Sequence, residues 1–215
     1  MAATGILGGT FNPPHVGHLV CAQEALDQLE LDRVTLMPAH TPPHKQVPED
    51  PGADVRLRLC ELAVAGDERF AVSNLELRRE GPSYTVDTLR ALHDDRPGDE
   101  LTFIVGADMA LSLATWREPE EVLRLARLGV AERDGARRED IAAVVAPLHD
   151  GSRVTFFDMP RLDVSSTALR RRVAEGRPIR YLVPDAVAAE VAARGLYRPG
   201  AAAAGPSPIR EEHPA

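Results

Sequence analysis

Cysteine is nearly absent from this 215-residue chain. Cys21 and Cys60 are the two it has, which argues against the disulfide framework that holds small secreted folds together. No apolar run reaches the roughly 20 residues needed to cross a bilayer, and the N-terminus lacks the basic start and apolar core of a secretory signal. These absences predict a cytoplasmic protein with no membrane partner. Lysine is scarcer still: of 25 basic residues, Lys45 is the single lysine. Either a general bias toward arginine codons accounts for this, or position 45 needs a compact, mobile ammonium rather than a planar fork. Positive charge is also short overall, with a formal net charge of -8. That excludes the broad basic face by which proteins bind nucleic acid polymers. A small anion needs only a local basic pocket.

What is present suits one buried domain, since hydrophobic residues make up 44% of the chain. Short β-rich apolar runs fall at 5–7, 34–37, 70–72, 101–105, 128–131 and 154–157, with helical periodicity between them over 16–29, 55–65, 85–93, 119–126, 139–148, 166–175 and 185–193. Gly66, Gly176 and Gly195 mark helix stops. Such alternation predicts an open parallel α/β sheet with helices on both faces, in which ligands bind beyond the carboxyl ends of the strands. The Pro-rich stretch 38–52 has neither periodicity and reads as a functional loop. Residues 1–198 form the predicted domain, and the Ala/Gly/Pro-rich tail 199–215 has too little to bury and reads as disordered. A doublet of small alanine-rich helices near the C-terminus could pack internally or against a partner, so a homo-oligomer stays open.

The first run ends in Gly8-Gly9-Thr10-Phe11-Asn12-Pro13-Pro14-His15-Val16-Gly17-His18-Leu19. It reads as strand, glycine turn and helix start. Glycines let backbone N–H groups approach a ligand, and proline suits a first helical turn. His15 and His18, three apart, share one helix face beside the positive end that favours phosphate. The turn lacks the spacing of a P-loop or of a dinucleotide-binding G-x-G-x-x-G. Instead it resembles the G-x-F-x-P-x-H-x-G-H signature of the nucleotidylyltransferase superfamily, with Asn12 where an Asp is frequent. Far along the chain, Ser165-Ser166-Thr167-Ala168-Leu169-Arg170 precedes and enters a helix. One hydroxyl would serve as an ordinary cap, whereas three with an arginine could grip a polyphosphate. This resembles the superfamily's second signature, S-S-T-x-[IV]-R, with Leu169 at the apolar position.

Between them, Pro42-Pro43-His44-Lys45, Ser83-Tyr84-Thr85, Gly106-Ala107-Asp108 and Trp116 are similar to the nicotinate mononucleotide adenylyltransferase family from about Gly5 to Tyr197. The resemblance implies a Rossmann-like sheet of nucleotidylyltransferase type that transfers AMP from ATP to nicotinate mononucleotide, with both nucleotides as partners. It implies catalytic roles for His15, His18, Lys45 and Arg170. ATP and its phosphates would be held by Gly8, Gly9, Thr10, Phe11, His44, Asp108, Ser165, Ser166 and Thr167, with Arg133 as a looser match. Trp116 would stack on the pyridine ring while backbone N–H groups at Tyr84-Thr85 read its carboxylate. Read as residues alone, Trp116 could equally be a packing indole, and Thr85 and Asp108 ordinary caps. Mg²⁺ is expected as the cofactor, carried mainly by ATP, since the sequence holds no dedicated carboxylate cluster for it. The alternatives are another adenylyl- or cytidylyltransferase of this fold, acting on phosphopantetheine or glycerol phosphate, and a nucleotide-binding sensor without turnover.

Overall fold

The computed structural model describes residues 2–41, 49–79, 81–132, 137–149 and 151–200. The predicted tail therefore lies, beyond Gly200, outside the described residues. Six strands form one sheet in the order β3-β2-β1-β4-β5-β6, and every pairing is parallel. They are β1 (Ala3–Gly9), β2 (Arg33–Pro38), β3 (Phe70–Val72), β4 (Glu100–Gly106), β5 (Arg127–Glu132) and β6 (Val154–Asp158). Each coincides with a predicted apolar run. Strand order reverses at β1 and β4, where Leu7 pairs with Leu36 on one side and Ile104 on the other. Beyond the carboxyl ends of these two strands opens the crevice in which doubly wound sheets bind ligands.

The helices are α1 (Val16–Gln28), α2 (Ala53–Val64), α3 (Thr85–Asp95), α4 (Ala107–Leu111), α5 (Pro119–Leu125), α6 (Arg138–Val145), α7 (Ser166–Ala174) and α8 (Asp185–Ala193). Seven match the periodicity, and the predicted glycine stops each follow a helix end with positive φ: Gly66 (90°), Gly176 (70°) and Gly195 (62°). α4 and a 3₁₀ turn at Leu113–Thr115 are additions to the prediction. Each is too short to show a helical period.

The pleat sends alternate strand residues to opposite faces. Ile6, Met37, Phe103, Val105 and Val130 pack against α3, α4, α5 and α6. Their neighbours Leu7, Leu36, Ile104 and Ala131 pack against α1 and Cys60 of α2. A third cluster joins Val55 and Leu59 of α2 to Leu169 of α7 and to Val187, Val191 and Tyr197 around α8. The apolar side of the alanine-rich α8 is thus covered from within. No helix among the described residues is long and apolar enough to cross a membrane.

Candidate active site

A cleft of about 400 Å³ opens at the point where strand order reverses. Leu7, Gly8, Gly9 and Thr10 come from the end of β1 and its turn, Phe103–Gly106 from β4, and Ala131 from β5. Ser83, Tyr84 and Thr85 enter from the start of α3, and Met109, Trp116 and Arg117 from the segment after β4. Small residues floor the strand end of the cleft, and an aromatic and polar group closes the other.

At the strand end, His18 lines the cleft while His15 is buried behind it, with ring centroids 3.7 Å apart in a stacked pair. The His15 backbone N–H donates to His18 Nδ1 at 3.1 Å. In the neutral ring the hydrogen therefore sits on Nε2. His18 can donate a hydrogen bond without first becoming an imidazolium. Phe11, buried under the turn at φ 50°, packs edge-on against His18 at 5.0 Å. Space at Gly17 is tight, because a Cβ there would lie 3.1 Å from both His15 Nδ1 and a Val164 methyl, which would have to give by a few tenths of an ångström.

The two ends of the chain meet at this turn. Ser166 Oγ donates to the Pro13 carbonyl at 2.8 Å, and Arg170 NH1 donates to the Asn12 carbonyl at 2.9 Å. Asn12 is buried, accepts a 2.7 Å bond from the Tyr197 hydroxyl and donates to the Glu49 carbonyl at 3.5 Å. Position 12 therefore uses both a donor and an acceptor. A carboxylate there could accept from Tyr197 but would have no N–H for Glu49. Burial pushes the Tyr197 phenol well above its ordinary value, which keeps its proton in place for Asn12. Arg170 also donates from Nε to Glu49 at 3.1 Å and from NH2 to Thr167 at 3.4 Å. Ser165 caps α7 by accepting from the Ala168 N–H at 3.2 Å.

The structure thus brings Gly8, Gly9, Thr10, His18, Tyr84, Thr85 and Trp116 to one cleft wall. It places His15, Phe11, Ser165, Ser166, Thr167 and Arg170 beside or beneath the turn rather than on that wall. Asp108 is exposed in the first turn of α4, next to Gly106 and Met109 of the lining. His44, Lys45 and Arg133 lie outside the described residues. Among the described residues no three His, Cys, Asp or Glu side chains gather as a metal site.

Three residues that sequence reasoning missed shape the site. Arg56, 1% exposed, donates to the carbonyls of Thr10 (3.1 Å), Ala39 (2.7 Å) and His40 (3.3 Å) and to Asp50 at 3.0 Å. Its signal was a charged residue on the buried face of α2, beside Val55, Leu59 and Cys60. Glu76 is buried in the cleft wall and accepts from Thr88 Oγ1 at 2.7 Å and from Ser83. Burial raises its pKa above the ordinary 4.5. Because Ser83 Oγ accepts the His40 N–H at 2.9 Å, Glu76 pins the Ser83-Tyr84-Thr85 turn to the end of β2. Arg117 is the third; its guanidinium carbon lies 5.0 Å from the centre of the Tyr84 ring. Trp116 packs edge-on to Phe103 at 6.0 Å and donates from Nε1 to Ser112 at 3.1 Å, so one indole both packs and faces the cleft.

Residues 6–172 match the cytidylyltransferase-like family model. A Thermus thermophilus protein named "probable nicotinate-nucleotide adenylyltransferase" is 46% identical over 194 residues, covering 90% of this chain and 98% of its own length. One of the same name from Exiguobacterium sibiricum is 45% identical over 193 residues, with 90% and 97% covered. Among solved structures, the nicotinic acid mononucleotide adenylyltransferase of Plasmodium falciparum superposes with a TM-score of 0.74 at 15% identity, covering 92% of this chain and 98% of that one.

Proposed function

The chain belongs to the cytidylyltransferase-like family, and from that premise we propose that it is a nicotinate-nucleotide adenylyltransferase of NAD biosynthesis. It transfers AMP from ATP to the phosphate of nicotinate mononucleotide, giving nicotinate adenine dinucleotide and pyrophosphate. The observation that carries this reading is a single cleft with the Gly8-Gly9-Thr10 turn and His18 at one end and Tyr84, Thr85 and Trp116 at the other. One end suits phosphates, and the other a flat ring bearing an anion.

The acceptor phosphate is already a nucleophile, since its second pKa of about 6 leaves it largely ionised at neutral pH. No deprotonating base is required. The protein's task is to align two anions and to neutralise charge as it builds at the α-phosphate and the departing pyrophosphate. His18 donates its Nε2 hydrogen to an α-phosphate oxygen, aided by the backbone N–H groups of the turn at Thr10. His15 holds the His18 ring through the stack and the backbone bond to Nδ1. Arg170, with Thr167 and Ser166, serves the β- and γ-phosphates, for which it must exchange its bond to Glu49. His44, Lys45 and Arg133 serve the phosphates, and Asp108 accepts from a ribose hydroxyl. Mg²⁺ would enter as part of the ATP substrate and would offset phosphate charge there. On the acceptor side, Trp116 stacks on the pyridine, and the N-terminus of α3 at Tyr84-Thr85 favours its carboxylate.

Pyrophosphate release with Mg²⁺–ATP, measured in parallel with nicotinate and nicotinamide mononucleotides, tests the reading. Strong preference for the nicotinate form is expected. Preference for phosphopantetheine, glycerol phosphate or CTP in a wider panel would replace the substrate. ATP binding without pyrophosphate release for any acceptor would make the protein a sensor.

A further inference from the structure

We infer that the side chain of Arg117 is the element that separates a pyridine carboxylate from a carboxamide in this cleft. The assignment rests on the adenylyltransferase reading and deepens its acceptor site. Among the described residues that line the cleft, Arg117 is the one with a formal positive charge and Glu76 the one with a formal negative charge. Glu76 is already committed within the protein, accepting from Thr88 and Ser83 while Arg79 donates to the same Thr88 hydroxyl at 2.7 Å. Its position would repel an anionic ring substituent unless a cation stood nearby. Arg117 follows Trp116 in sequence and lies over Tyr84, so it joins the stacking indole to the N-terminus of α3.

The arginine is free to take a ligand. Its contacts to Asp87 and Glu118 are 3.4 and 3.6 Å long, and its side chain is 52% exposed. Solvated pairs of that length hold a side chain weakly. The guanidinium fork matches a carboxylate in two parallel hydrogen bonds, whereas a carboxamide offers one acceptor and turns an N–H₂ toward the other arm. The N-terminus of α3 favours the carboxylate, but its N–H groups also suit a neutral carbonyl oxygen, so the arginine adds to the contrast. A fixed positive charge discriminates by sign.

The test is Arg117→Gln, with kcat and KM measured for nicotinate and nicotinamide mononucleotides at saturating Mg²⁺–ATP. The expected result is a kcat/KM for the nicotinate substrate lower by about tenfold, carried by KM, as for the loss of one charge-assisted contact in a partly solvated site. The nicotinamide substrate should change by less than about twofold, so that the selectivity ratio collapses by the difference. An equal loss with both acceptors, or an unchanged ratio, would overturn the assignment while leaving the adenylyltransferase reading intact. A wild-type protein that releases no pyrophosphate with either acceptor would defeat that reading and this assignment with it.

Discussion

Replacing Arg56 by methionine will remove the tie that backs the strand end of the cleft, and the structure sets the size of the effect. The guanidinium is 1% exposed and donates to three backbone carbonyls and to Asp50. Methionine fills a similar volume, so the cavity term is small and the loss is mainly polar. Bonds from a charged donor contribute about 1.5–3 kcal/mol each, but they share one desolvated cation and do not add. Asp50 is 31% exposed and regains water, whereas the Ala39 carbonyl, bonded at 2.7 Å in a buried contact, loses its guanidinium donor. Breaking a buried charged cluster from one side costs about 3–5 kcal/mol. At about 2–4 °C per kcal/mol for a chain of this size, Tm falls by about 6–20 °C. Urea unfolding with an unchanged m-value, together with the thermal midpoint, measures it. A variant within about 1 kcal/mol of wild type would refute the claim that this guanidinium holds Thr10, Ala39 and His40 together.

Other consequences can be checked separately. His18→Ala should lower kcat by about 10²–10³, the cost of one preorganised donor at a developing negative charge, while ATP binding weakens much less; near-normal turnover would remove His18 from the mechanism. Glu49→Gln should lower the KM for ATP by up to about fivefold, because Glu49 competes for Arg170 but is 59% exposed and holds it weakly; a KM that rises would mean that Glu49 helps ATP bind. Glu76→Gln should be most stabilising at neutral pH. Burial favours protonation of Glu76 more in the folded chain than in the unfolded one, so its contribution is intact below 4.5 and is lost as pH climbs through the raised value. The gap in urea midpoint between variant and wild type should widen from about pH 4 to pH 7; parallel curves would show that burial does not penalise this carboxylate.

The fold was legible to the extent that it is written locally. Six strands announced themselves as short β-rich runs, and seven helices by their 3.6-residue period, three of them also by a glycine end. α4 and the turn after it were silent because five residues and three do not make a period. The site was legible at its two ends for a similar reason: a turn that needs glycine, proline and two histidines, and a cap that carries hydroxyls and an arginine, leave compact marks. Arg56 left only a charge on the buried face of its helix, and Glu76 and Arg117 left none. Arg56 and Glu76 act across 46 and 12 residues of sequence and Arg117 against a ring from another element, and a charged residue within a helix or loop reads as solvated until its neighbours are known.

By itself, then, the sequence determined the parallel α/β class, the strand and helix positions, and which residue types gather at the strand ends, because these follow from periodicity and backbone chemistry within a few residues. Tertiary structure decided the rest. It stacked His15 behind His18 and so set which ring meets the cleft, and it tied Arg170 to Glu49 and the Asn12 carbonyl. It also buried Asn12 against Tyr197, 185 residues away. Those outcomes depend on which groups lose water together, and only the packing of distant segments settles that.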